Sequence, residues 1–269
     1  MRSKARSTAQ GKGGRTTLEV AGRWGFAARG VIYLLVGVLA LRIAFGGGGG
    51  EQADRGGALS EVAEKPLGSV LLWLLGIGLA GMALWQLSEA LWDRKTSRRL
   101  ASAGRTVFYA VVAWSVFVFA AGDHSRDGGE SDRQSHDMTS RALELPAGQW
   151  LVAAVGVAIA VTGVVGGVKA ARRTYHKHLK LGELTPRDRR AVDVTGVAGG
   201  VARGAVFVVA GAFALRAAIT YRPSEAKGVD DTLRSFAGTP VGPWLLAAIA
   251  LGLALYGLFS FAMARWRRV

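Results

Sequence analysis

Apolar and polar residues in this chain do not alternate; they are segregated into long blocks. Six apolar stretches, Gly25 to Phe45, Leu67 to Trp92, Gly104 to Ala121, Ala147 to Val168, Ala198 to Thr220 and Gly242 to Ala264, are separated by polar or glycine-rich connections. Each is about 20 residues long, the length at which a helix crosses the hydrocarbon core of a bilayer. Runs such as Leu71 to Leu79 are continuously apolar, unlike the strands of a membrane barrel, and in lipid each span must satisfy its own backbone. The pattern predicts an all-α, polytopic membrane protein with six transmembrane helices and no soluble domain.

The blocks repeat. A gapless shift of 174 residues places Arg29-Gly30 on Arg203-Gly204, Gly37 on Gly211 and Ala40-Leu41-Arg42 on Ala214-Leu215-Arg216. It continues through the loop, Leu59 on Leu233, Ala63 on Ala237, Pro66 on Pro240, Gly68 on Gly242 and Gly78 on Gly252. A more divergent middle unit aligns Arg105 and Tyr109 with Arg29 and Tyr33 at an offset of 76, and Pro146 and Gly148 with Pro66 and Gly68 at 80. The expected organisation is a disordered basic tail (1–20) and three two-helix hairpins, 21–95, 96–180 and 181–269. All three hairpins then enter the membrane in the same sense, with pseudo-three-fold symmetry about the membrane normal. His124 to Asp137 has no periodicity and reads as loop, whereas Leu59 to Ala63 and Leu233 to Ala237 read as short amphipathic turns.

Charge adds orientation. The formal charge is +15, yet it is sorted along the chain. Segments 1–24, 93–103, 169–197 and 265–269 hold 21 of the 34 basic residues, while the alternate connections hold 8 basic residues against 13 acids. By the positive-inside rule both termini are cytoplasmic, and the basic excess requires no nucleic acid. The first apolar block is longer than the roughly 7 to 15 residues of a signal-peptide core and belongs to the repeat, so it reads as an uncleaved span. There is no cysteine, which removes disulfides and thiolate chemistry.

The candidate functional residues are few. Arg29, Arg105 and Arg203 lie just inside the basic ends of the first, third and fifth spans, where a charge costs energy unless it finds a partner or water. Either they ring a cytoplasm-facing cavity that binds an anion or lipid headgroup, or they snorkel to inner-leaflet phosphates. Glu89 is the only carboxylate within a span and is a candidate ion-pair partner for Arg29. Arg42 and Arg216, at the outer ends, read as snorkelling. Pro66, Pro146 and Pro240, each followed two residues later by Gly68, Gly148 or Gly242, read as a repeated structural turn opening the even-numbered helices. Gly196, Gly200 and Gly204 share a helix face and permit close helix approach. His124, His136, His176 and His178 all lie in connections; axial haem ligation would require them in spans, and the pair near residue 177 sits among Arg172, Arg173, Lys177 and Lys180, a segment suited to anionic lipid. With no P-loop, zinc-protease or nucleophile-elbow motif, the expectation is no metal, no cofactor and no enzymatic activity.

The stretch A-A-R-G-V-I-Y-L-L-V-G-V-L-A-L-R from Ala27 to Arg42, with K-P-L-G from Lys65 to Gly68, resembles the bacterial membrane family called domain of unknown function 1206. The resemblance covers about Ala21 to the C-terminus as three copies, the middle one carrying Thr106 and Val118 where the others have Gly and Arg. It implies a membrane location and a repeated two-helix unit but no activity. Two functional expectations remain: a structural or interaction component contacting membrane lipids, including anionic inner-leaflet lipids, or a membrane-protein partner; or a small transporter or channel with a central basic cavity.

Overall fold

A computed structural model describes residues 2–45, 53, 55–64, 66, 68–92, 96–121, 130–145, 147–237 and 242–267 of the chain. The helices are α1 (Arg2–Ala44), α2 (Arg55–Ala63), α3 (Gly68–Trp92), α4 (Thr96–Ala120), α5 (Glu130–Leu143), α6 (Gly148–Ala171), α7 (Pro186–Thr220), α8 (Val229–Ala237) and α9 (Gly242–Trp266). Six of them, α1, α3, α4, α6, α7 and α9, are long and apolar enough to cross a membrane, over Val20–Ala44, Gly68–Ser88, Ser102–Ala120, Gly148–Ala171, Pro186–Thr220 and Gly242–Trp266.

Three expectations are corrected. The tail 1–20, expected to be disordered, continues the first span as helix from Arg2; once a span has met the cost of nucleation, each further residue adds a hydrogen bond at little expense. The segment within 124–137 expected as loop is helical from Glu130. It has too few apolar residues to show a core-facing stripe in the sequence, and its partners are other outer segments: His136 lies 4.0 Å from Asp231 of α8. Finally, α3 begins at Gly68, two residues beyond Pro66, so the proline shapes the preceding turn rather than the first helical position. Gly68, Gly148 and Gly242 each begin an even-numbered span. At the first two a side chain would collide with carbonyls at the end of the preceding short helix, Val62 and Ala63 in one case and Ala142 in the other. Pro146 and Pro240 lie outside the described residues.

The spans pack side by side in the order α4, α3, α1, α9, α7, α6. The most extensive contacts are between repeats and use equivalent residues. In α1 against α9, a Cβ on Gly30 would stand 3.0 Å from the Gly257 carbonyl and one on Gly37 2.8 Å from that of Ala250. In α7 against α6, a Cβ on Gly204 would stand 2.7 Å from the Gly163 carbonyl and one on Gly211 2.7 Å from that of Gly156. Backbones this close give dispersion contact in a medium that offers no hydrophobic drive. The third such interface, α3 against α4, carries Ala83 and Thr106 at the first crossing and is filled by side chains, with Phe117 over Gly76. Within hairpins, α1 packs on α3 and α7 on α9, but among the described residues α4 and α6 share no comparable interface. The expected three-fold ring is therefore open in its middle unit. Consistent with an end position, only 17% of the α6 span is buried, against 56% of α3.

At the acidic end, α5 touches both α2 and α8. The buried carboxylate of Asp230 accepts from the Ala53 backbone N–H at 2.8 Å and from Arg234 Nε at 2.7 Å. Arg42 meets Glu61 at 3.5 Å and Arg216 meets Glu225 at 3.1 Å, so these two arginines pair with acids of the outer segments rather than extending alone to headgroups.

Candidate functional site

Two of the three repeated arginines converge. Arg29 on α1 and Arg203 on α7 reach α9, which packs between those helices. Arg29 Nε donates to Ser260 Oγ at 3.2 Å, and its guanidinium lies 4.8 Å from the Phe26 ring centre and 5.2 Å from that of Tyr256. Arg203 Nε donates to Tyr33 Oη at 2.8 Å; the guanidinium lies 4.6 Å from the Phe207 ring and 5.3 Å from Tyr256. Tyr33 packs edge-on against Tyr256 at 4.8 Å, and the Tyr109 hydroxyl stands within hydrogen-bonding reach of Arg29 and in the field of Arg203. A desolvated cation over an aromatic face gains about 2 kcal/mol. Each guanidinium is thus held by hydroxyls and ring faces.

The third arginine does not join them. Arg105 is exposed on α4 and donates from Nη2 to Ser102 Oγ at 3.3 Å, beside the exposed Val107, Phe108 and Val111. The repeat supplies the reason. Each inward arginine uses the aromatic residue four positions after the arginine of the next unit: Arg29 reaches Tyr109, and Arg203 reaches Tyr33. For Arg105 the corresponding residue is Phe207, which has no hydroxyl. Its other counterpart partner, Ser260, is replaced at the offset of 174 by Gln86, a residue 3% exposed whose Oε1 has no hydrogen-bond partner. The predicted basic ring is thus a pair. The side chain of Glu89, the candidate ion-pair partner of Arg29, lies outside the described residues.

A second cluster lies at the basic end, in the connection between α6 and α7. The 3-10 turn Thr174–His178 follows Arg173, which adopts a left-handed backbone (φ 51°). Asp193 of α7 gathers this connection: it accepts from Tyr175 Oη at 3.2 Å, contacts His176 Nε2 at 2.5 Å and pairs with Arg173 Nη1 at 3.4 Å. Burial, and then the Asp193 carboxylate, push the Tyr175 phenol well above its ordinary value. The Lys180 backbone N–H donates to the Trp266 carbonyl at 2.9 Å, tying the same connection to the end of α9, while Arg267 lies 4.3 Å over Trp85. Beside the clamp is a cavity of about 680 Å³ lined by Arg173, Pro186, Arg189, Arg190, Asp193, Val194, Val197 and Ala198.

Of these residues, Tyr33 and Tyr109 were visible in the sequence through their repetition beside the arginines. Tyr256 and Ser260 were not, since their equivalents in the first unit are Met82 and Gln86. Asp193 gave no signal: its partners come from a connection with no periodicity.

Six apolar helices built from a thrice-repeated hairpin define a multi-pass, all-helical protein of integral membrane type. The chain belongs to the family described as Domain of Unknown Function (DUF1206), whose model matches it three times, at residues 24–93, 100–173 and 198–267. It is similar to a protein of Bacillus subtilis (strain 168), the uncharacterized protein YxxB, at 33% identity over 249 residues, covering 89% of this chain and 87% of that one. No solved structure matches.

Proposed function

We propose that the protein is a non-enzymatic structural or interaction component of the bacterial cytoplasmic membrane, with both termini in the cytoplasm, that contacts lipids and other membrane proteins. One observation carries this reading: the residues that recur inward are consumed in packing. The repeated glycines bring α1 onto α9 and α7 onto α6 at backbone contact, and the two inward arginines end on Ser260, Tyr33 and aromatic faces. Orientation rests on the sorted charge.

A second reading, an anion transporter or channel, is favoured by one feature. Arg29 and Arg203 approach each other, and the partners they have among the described side chains are hydroxyls and rings rather than carboxylates. Because the chain has no cysteine, a single Ser260→Cys variant separates the readings. In a packed scaffold this side chain stays unreactive toward a membrane-impermeant maleimide applied to either face of membrane vesicles; labelling from one face reveals a water-filled path and overturns the scaffold. Ser224→Cys and Lys177→Cys, both exposed and at opposite ends, report sidedness: the first labels from outside in whole cells and the second stays protected.

A further inference from the structure

The cavity beside the Asp193 clamp has an amphiphilic lining. Its rim carries three guanidiniums, Arg173, Arg189 and Arg190, and a single carboxylate, Asp193. That carboxylate already has Arg173, His176 and Tyr175 about it, so the rim retains an excess of positive charge. Its floor is Val194, Val197 and Ala198, one face of α7. The same face continues along the helix through Val201 and Ala205, and Val194 and Val201 are 55% and 43% exposed. The cavity sits where α6 ends at Ala171 and α7 enters its apolar run, the level at which a headgroup meets its chains. The start of α7 adds its own partial positive charge. The site is also prebuilt, because the clamp fixes Arg173 and the connection before α7.

We propose that this cavity is a binding site for an anionic phospholipid, its phosphate between Arg173, Arg189 and Arg190 and an acyl chain along Val194, Val197, Ala198 and Val201. A free inorganic phosphate would use the rim but not the floor. A neutral lipid would use the floor but not the rim. This assignment rests on the reading of the chain as a lipid-contacting membrane component.

The test uses the purified full-length chain in neutral detergent, titrated with phosphatidylglycerol and followed by native mass spectrometry and by thermal shift, with phosphatidylcholine and inorganic phosphate as comparisons. Each arginine near an anionic surface strengthens binding about fivefold. Arg189→Gln with Arg190→Gln is therefore expected to weaken phosphatidylglycerol binding roughly 30-fold, whereas Arg172→Gln with Arg187→Gln, exposed neighbours outside the lining, leaves it unchanged. Ala198→Trp, which fills the floor without altering charge, also lowers phosphatidylglycerol retention. Melting in lipid-free detergent verifies that each variant is folded. Equal losses in the two arginine pairs, or retention by Ala198→Trp, would overturn the site. Competition by inorganic phosphate at the same concentration as the lipid would overturn the lipid assignment in favour of a free anion. Loss of the site with Ser260→Cys still protected removes this proposal and leaves the packed scaffold standing.

Discussion

Arg29 and Arg203 on one side, and Arg105 on the other, occupy the same position of the same repeated motif, yet the first two turn inward and the third turns out. What differs is what the neighbouring units present. Ser260 and Tyr33 offer oxygen to Arg29 and Arg203, whereas the corresponding positions for Arg105 hold Gln86, whose oxygen is unpartnered, and Phe207. Among the described residues α4 also lacks a packed partner in α6, its companion in the hairpin. In a repeat protein the motif sets where a side chain starts; its neighbours decide where it ends.

The sharpest way to break this contrast is to fill the crossings. Gly30→Leu and Gly204→Leu place a branched side chain against the carbonyls of Gly257 and Gly163. Gly204 faces backbone alone, with no flexible neighbour to absorb the added atoms, and is expected to cost at least about 3 kcal/mol, the upper end of the usual range; Gly30, where the Phe261 ring shares the contact and can give, is expected to cost about 2 kcal/mol. Thr106→Leu, at the equivalent middle position on the less crowded interface, is expected to be tolerated within about 1 kcal/mol. Thermal unfolding and size-exclusion profiles in detergent measure both, and equal losses at all three positions would show that the middle interface is as tight as the others.

The arginines themselves give the next effect. Arg29→Ala and Arg203→Ala each remove a charge-assisted hydrogen bond, worth about 1.5 to 3 kcal/mol, and contacts with ring faces. Relief from burying a cation offsets part of this, leaving an expected loss of about 1 to 2 kcal/mol. Arg105→Ala, at an exposed position, is expected to stay within about 0.5 kcal/mol. A smaller effect asks whether the missing hydroxyl or the open seam keeps Arg105 out. In a double-mutant cycle between Phe207→Tyr and Arg105→Ala, the open seam predicts a coupling below about 0.5 kcal/mol. A larger coupling would mean that α4 and α6 close on each other in the bilayer.

The same contrast explains how much could be read in advance. The six spans and their repeat were legible because hydrocarbon imposes length and apolarity on each span separately, before any contact forms. The first short outer helix was legible at Leu59 to Ala63, where apolar residues repeat, but α5 was hidden because eleven of its fourteen residues are polar and its order comes from α8 and the loops. The arginine triplet was legible as three equal positions, and its unequal outcome was not, since that depends on which helix lies opposite. Asp193 was silent for the same reason: one of three acids on a basic segment, it is informative only once Arg173, Tyr175 and His176 fold back on it.

That fold-back yields the smallest predicted effect and extends the comparison from arginine to tyrosine. The Tyr175 phenol is raised chiefly by burial and secondarily by Asp193. In the unfolded chain a tyrosine loses its proton near pH 10, while the folded chain keeps this one protonated to higher pH. The unfolded state therefore binds fewer protons above about pH 10, and stability declines as pH rises from there toward the folded value. Below pH 10 the phenol contribution is fully present and flat. Tyr175→Phe keeps the ring against Phe259, 4.9 Å away, and is expected to lessen the alkaline decline without changing its onset. Asp193→Asn, which removes the carboxylate and leaves the burial, should retain part of the decline. If Asp193→Asn flattened the curve as much as Tyr175→Phe, the carboxylate rather than burial would govern this phenol, and the clamp would be electrostatic where packing is now held responsible.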